Sequence, residues 1–266
     1  MLFRSADAGL AWIAESAAFP SSMVDRITPT PTQAMIDDSS ARLGLSDAAA
    51  VWTEPFWQWV IEDRFAGARP DLASAGVQLV ADIRPWEAAK LRLLNAAHSA
   101  LAYLGLLKGF AFIHQAIADA ELARLIGRLW DEAETTLDAG GIDVAAYRAA
   151  LLRRFANPAL PHALIQIAAD GSQKLPPRIL ASMAERTQRG LASPALATVA
   201  AAWIHALATA DGLADPMIEM LRPIARAPGP AEPVVRDLLE RVDPASAPLL
   251  AAEIAAALNG LRLRPY

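Results

Sequence analysis

Residues 85–105 read PWEAAKLRLLNAAHSALAYLG, and here reactive side chains recur at helical spacing inside an apolar run. Pro85 suits the first turn of a helix, where a missing amide proton leaves nothing unpaired, and Gly105 offers a stop. The stretch predicts a single helix of about six turns. At about 100° per residue and with Lys90 as zero, Glu87 falls near 60°, His98 near 80° and Asn95 near 140°, so these polar groups share one side. Leu91, Leu94 and Leu101 lie on the same arc, while Leu93, Ala96 and Ala100 lie opposite with Arg92 as their only charged neighbour. Neither side has the look of a solvated face, so the helix is expected to be buried nearly all round. A lysine, asparagine or histidine left unpaired there costs on the order of 1–3 kcal/mol, which favours a polar pocket. A packed core histidine fits the same spacing, and geometry alone leaves both readings open.

Composition widens the picture. Hydrophobic residues make up 54% and aromatic residues only 6% of the 266, with alanine and leucine abundant, which predicts helices packed on helices. The net charge of −5 and a pI near 5.4, with no basic stripe, speak against a nucleic-acid partner. There are no cysteines, so disulfides and thiolate metal sites are excluded, and a reducing cytoplasm is the expected compartment. His98, His114, His162 and His205 show no metal-ligand spacing, so no metal is expected. Asp7 and Glu15 interrupt the first apolar segment, against a secretory signal, and the apolar stretch 196–208 is too short to span a bilayer.

Along the chain, residues 6–17 predict a short amphipathic helix, and AAFPSSMVDRITP then runs extended towards Pro29 and Pro31. Aromatic and β-branched residues in partial alternation predict a strand near 57–62, and GVQLVADI at 76–83 predicts a second that pairs with it. Beyond 105 the pattern is helical, roughly over 106–119, 121–139, 143–155, 158–169, 175–190, 194–210, 214–225, 230–241 and 246–258. Asp170-Gly171-Ser172 is a turn signal within an expected interhelical loop.

The string KLRLLNAAHSALAYLG resembles the signature of the long-chain mannitol and hexuronate dehydrogenases, which include mannitol 2-dehydrogenases and fructuronate reductases. Three further strings agree in order: FPSSMVDRITP at 19–29, EPFWQWVIEDRF at 54–65, and RRFANPALPHALIQIAADGSQKLPPR at 153–178. The last resembles the fructuronate reductase branch more than the mannitol 2-dehydrogenases. The resemblance implies a mainly α fold: a multi-helix C-terminal dehydrogenase domain with a small β element at 31–266, preceded at 1–30 by a remnant helix and strand of a Rossmann-type domain. No GxGxxG occurs, and the chain is expected to open just before the nucleotide-binding domain ends.

The resemblance also implies roles. Lys90 matches the general base, and Asn95 and His98 match donors to the reacting oxygen. Glu87 matches the proton path to solvent, and Asp25 is expected beside the site as an orienting group. Lys174, Gln166 and His162 are candidate substrate contacts. A lysine in water is protonated at neutral pH, so a lysine base needs desolvation or neighbouring positive charge. The implied cofactor is NAD, or alternatively NADP, held mainly by a nucleotide-binding domain, with no residue here assigned to it. The implied ligand is a small polyol or hexuronate. A separate Rossmann-domain chain, or self-association through an exposed apolar face around residues 6–28, is the expected protein partner; a membrane is not. Two function classes follow: a metal-independent oxidoreductase domain, inactive without its nucleotide-binding partner, or a non-catalytic helical module that binds sugar acids or is vestigial.

Overall fold

The computed structural model describes residues 6–138 and 140–263. Helix α1 (Ala6–Ser16) leads to strand β1 (Ser22–Asp25), helix α2 (Gln33–Leu43) and strands β2 (Gln58–Glu62) and β3 (Gln78–Val80). Next comes a continuous helical rod of α3 (Arg84–Ala89), a π-helical turn π1 (Lys90–Asn95) and α4 (Ala96–Leu107). Helices α5 (Ile113–Ala118), α6 (Ala120–Glu134), α7 (Val144–Phe155), α8 (Leu164–Ala168) and α9 (Gly171–Leu175) follow. A second π turn, π2 (Pro176–Leu180), runs into α10 (Ala181–Gln188), and α11 (Pro194–Thr209), α12 (Ile218–Ala225), α13 (Ala231–Val242) and α14 (Ala247–Arg262) complete the chain.

The strands form one sheet in the order β1-β2-β3. β1 runs antiparallel to β2 with Val24 opposite Trp59, and β2 runs parallel to β3 with Val60 opposite Gln78. Alternation sends Met23 and Val60 inward onto Ile83, while Val24 and Trp59 stay exposed on the other face. The two expected strands thus pair as predicted, and the extended stretch near residue 24 joins them, tying the expected remnant to the second part by main-chain hydrogen bonds.

Two alanine-rich helices hold the centre. Every residue of α4 from Ala96 to Gly105 is buried, and α11 lies against it with Ala200, Ala201 and Ala202 buried. Small side chains let helix axes approach closely, and α6, α8 and α14 close around the pair. Gly105 belongs to this packing and is not the helix stop: α4 runs two residues past it. A Cβ there would lie 2.6 Å from Leu164 Cδ1 and 3.0 Å from Ala116 Cβ, so glycine admits α5 and α8 against α4. The reversal falls at Gly109, whose φ of +77° glycine adopts without strain.

Some expected helices are shorter for identifiable reasons. The 106–119 helix is cut to α5 because Phe112 is extended and bridges Ala163, with Gln115 Oε1 accepting the Ala111 and Phe112 amides at 3.0 Å each. The same bridge limits the 158–169 helix to α8. Residues 171–174, expected in a loop, belong to α9, and Asp170 is its N-cap residue. Asp170 sits at φ +58°, and the Ser172 amide and hydroxyl each donate to the Asp215 carboxylate at 2.7 Å. Among the described residues no helix is long and apolar enough to cross a membrane.

Candidate active site

The rod α3-π1-α4 presents the candidate residues, and its middle departs from the α-helix the spacing predicts. Across π1 the hydrogen bonds close five residues apart, as from the Ala96 amide to the Leu91 carbonyl. A π turn advances less per residue than an α turn, so it brings Asn95 nearer to the face of Lys90 than the angle of about 140° expected of an α-helix. Isolated π turns inside α-helices are frequent at functional sites.

Lys90 is half-buried, and its Nζ donates to the Val24 carbonyl of β1. The rod is therefore not enclosed all round: α4 is, but Glu87 and Arg84 on the first turn face solvent because only the thin β-sheet layer flanks that end. Glu87 stands one turn before Lys90, at the solvent edge.

Val24 is held in place by a buried ionic network. Asp25, 1% exposed, receives Arg154 Nη2 at 2.6 Å, Arg154 Nη1 at 2.9 Å and the Tyr147 hydroxyl at 2.8 Å. Glu54, 3% exposed, shares Arg154 at 2.8 Å and accepts the Ile27 amide at 2.6 Å. Phe56 covers the guanidinium, with its ring centroid 4.0 Å away. Burial and the adjacent Asp25 carboxylate push the Tyr147 phenol far above its usual range, so it stays a donor. Arg154 and Glu54 were not singled out in the sequence. Nothing local marks them, since the partners lie 129 and 100 residues apart.

Phe155, next along α7, packs on the His98 ring at 4.9 Å, and His162 meets His98 edge-on at 5.8 Å. Burial, with the charges of His162 and Arg178 behind it, holds the His98 imidazole well below its ordinary pKa. Burial and the nearby Lys174 ammonium bring His162 down to about 4. Both rings are neutral at neutral pH, each then offering one donor and one acceptor nitrogen. His98 Nε2 and His162 Nδ1 have no partner among the described residues. Each such nitrogen costs about 1–3 kcal/mol when buried unpaired, and a ligand oxygen would satisfy it.

Lys174 is half-buried on α9, with Nζ 3.5 Å from Asp170 Oδ2, and near enough to both imidazoles for its charge to act on them. Gly171 fixes this turn: a Cβ there would lie 2.4 Å from Trp203 Nε1 and 2.5 Å from the Tyr103 hydroxyl. Gln166 is exposed on α8 and makes no side-chain hydrogen bond among the described residues, so the structure does not bring it into the imidazole cluster. Arg178, which sequence reasoning passed over, lies on π2 one turn beyond Lys174, and its Nη1 donates to Ser99 Oγ at 3.3 Å. The two π turns pack against each other. Contacts therefore run from Lys90 through Val24, Asp25 and Arg154 to Phe155, His98 and His162, and the Lys174 charge acts on both imidazoles.

The arrangement combines an amine, an amide and two neutral imidazoles, a set able to accept a proton from a hydroxyl and to donate hydrogen bonds to its oxygen. No described strand runs through a glycine-rich turn into a helix N-terminus, the arrangement that cradles a pyrophosphate. Among the described residues no cluster of three or more His, Asp or Glu stands ready for a metal ion. A cavity of about 220 Å³, bounded by Leu104, Lys108, Leu125 and Leu261, lies towards the other end of α4 and shares none of these residues.

Comparison with known proteins gives the family. Residues 82–260 match the family profile described as "Mannitol dehydrogenase C-terminal domain", and residues 2–74 match "Mannitol dehydrogenase Rossmann domain". The chain is 43% identical over 218 residues to "Uncharacterized oxidoreductase YeiQ" of Escherichia coli (strain K12), covering 79% of this chain and 45% of that protein. It is also 43% identical over 197 residues to the D-mannonate oxidoreductase of the same organism, covering 73% and 40%. The solved Pseudomonas fluorescens mannitol 2-dehydrogenase, a ternary complex with NAD and D-mannitol, superposes with a TM-score of 0.84 at 31% identity, over 97% of this chain and 55% of that one. The chain thus spans about half the length of these relatives. With the matched profiles covering β1, β2 and the whole helical rod, the chain belongs to the mannitol dehydrogenase family.

Proposed function

We propose that this chain is the substrate and catalytic part of an NAD-dependent oxidoreductase that interconverts a secondary alcohol and a ketone on a polyol or aldonate, as in the D-mannonate/D-fructuronate or D-mannitol/D-fructose pairs. The observation that carries the reading is a pair of neutral imidazoles with buried, unpartnered nitrogens: His98 on the rod that bears Lys90 and Asn95, and His162 edge-on to it. NAD, when bound, accepts the hydride. Lys90 takes the hydroxyl proton, and Glu87, one turn away at the solvent edge, passes it outward. Asn95 and His98 donate to the oxygen as negative charge develops, without competing for the proton. Asp25 acts through Val24: by anchoring β1 to Arg154 it fixes the carbonyl that orients Lys90. His162 and Lys174 hold the remaining substrate oxygens, with exposed Gln166 at the outer edge.

The division at residues 30 and 31 belongs to the same proposal, with α1 and β1 as the part that faces the nucleotide-binding domain. Leu10, Phe19 and Val24, 64%, 71% and 53% exposed, form the apolar face on which that domain, a separate chain carrying it, or a second copy would pack. By itself this stretch is proposed to bind sugar without turning over, because no phosphate-holding turn stands among the described residues. Calorimetric titration of the purified chain tests both halves. Binding of D-mannonate or D-mannitol that weakens about tenfold or more in Asn95→Ala and His98→Ala is expected, with no heat from NADH. Absence of binding for both sugars refutes the site, and steady NADH oxidation with D-fructuronate or D-fructose refutes the dependence on a partner.

A further inference from the structure

The unexplained cation in the cluster is Arg178. The other guanidinium beside His98, Arg154, is matched by two buried carboxylates, and Lys174 has Asp170 at 3.5 Å. Arg178 is half-buried, yet among the described residues no carboxylate oxygen lies within 4.0 Å of it, and its one side-chain hydrogen bond is the 3.3 Å contact to Ser99. A guanidinium carries five N–H donors in a planar fork and is rarely taken out of water without an anion to meet it. Asp170 acts on it only at longer range, and Asp215 is occupied by the Ser172 amide and hydroxyl and the Met217 amide. Its burial disfavours the charged form, a cost that an anion bound beside it would offset.

Position adds to the argument. Ser99 follows His98 on α4, so the guanidinium is anchored one residue from the imidazole assigned to the reacting oxygen. Lys174 and Arg178 stand four residues apart along the α9-π2 rod, and the charge of each acts on His98. Of the two cations on this rod, Lys174 has Asp170 beside it, and Arg178 has no carboxylate within 4.0 Å among the described residues.

We propose that Arg178 receives the carboxylate of the substrate and makes the site selective for an aldonate or hexuronate over an uncharged polyol. The inference rests on the reading of Lys90, Asn95 and His98 as the reacting end. Planar, bidentate recognition of a carboxylate is the geometry a guanidinium offers and an ammonium does not.

The test compares three ligands on the purified chain by calorimetry at pH 7: D-mannonate, its uncharged amide D-mannonamide, and D-mannitol. Mannonate is expected to bind roughly tenfold more tightly than either neutral ligand. In Arg178→Gln, mannonate should fall to within about threefold of mannitol measured on the same variant, and Arg178→Lys should recover only part of the preference. If Arg178→Gln keeps the full preference, Arg178 is not the carboxylate site. If the unaltered chain binds mannonamide as tightly as mannonate, charge is not recognised; this arm needs no variant and stands even where Arg178→Gln does not fold. Equal binding of all three overturns this inference and leaves the reacting end intact. Binding of none overturns the reading of the reacting end, and the inference with it.

Discussion

Replacing Arg154 with methionine tests whether the buried ionic network is what fixes β1 to the helical body. The guanidinium, 6% exposed, bridges Asp25 and Glu54, and its loss strands two carboxylates that are 1% and 3% exposed. Methionine fills most of the volume under Phe56, so lost pairing dominates over a new cavity. Removing one partner of a buried pair typically costs about 3–5 kcal/mol, whereas replacing all the charges together is far milder. Unfolding entropy of roughly 2.1 cal/mol/K per residue gives about 0.56 kcal/mol/K for 266 residues, so the midpoint should fall by about 5–9 °C. Scanning calorimetry with circular dichroism measures it. The triple variant Asp25→Asn, Glu54→Gln, Arg154→Met should recover at least about half of the loss. A midpoint within about 2 °C of the parent, or a triple variant no better than the single one, would refute the reasoning.

Three further outcomes are expected. In an enzyme that joins this chain to a family nucleotide-binding domain, Lys90→Ala should lower turnover by about 10²–10⁴-fold without unfolding, and a variant within a few-fold of the parent would remove Lys90 as the base. His98 and His162 have folded pKa values below the unfolded one, so the unfolded chain binds protons first as pH falls, and stability should drop from about pH 6.5 towards 4. Thermal melts at pH 7, 5.5 and 4.5 should show a shallower decline for His162→Gln, and parallel declines would contradict the assignment. Gly171→Ala drives a Cβ into Trp203 and Tyr103, so urea titration should show a loss of about 1–3 kcal/mol; no change would mean that α9 shifts freely.

Much of this protein follows from its sequence alone, and for physical reasons. Alanine and leucine at helical spacing predict α6, α7, α11, α13 and α14 closely, since periodicity is a local property. Alternation likewise finds β2 and β3, and the order of Lys90, Asn95 and His98 within one apolar helix locates the candidate site. What only the tertiary structure decides is everything that depends on distant partners. A π turn differs from an α turn by one residue of hydrogen-bond offset, so KLRLLN carries no local mark of the geometry that turns Asn95 towards Lys90. Gly105 looks like a stop until Leu164 and Ala116 are packed against it, and residues 170–174 look like a loop until Asp215 caps the turn. Arg154 and Arg178 are ordinary cations in sequence. Folding gives the first two buried carboxylates brought from over a hundred and exactly one hundred residues away, and leaves the second without one, because charge pairing in a core is settled by which elements pack together.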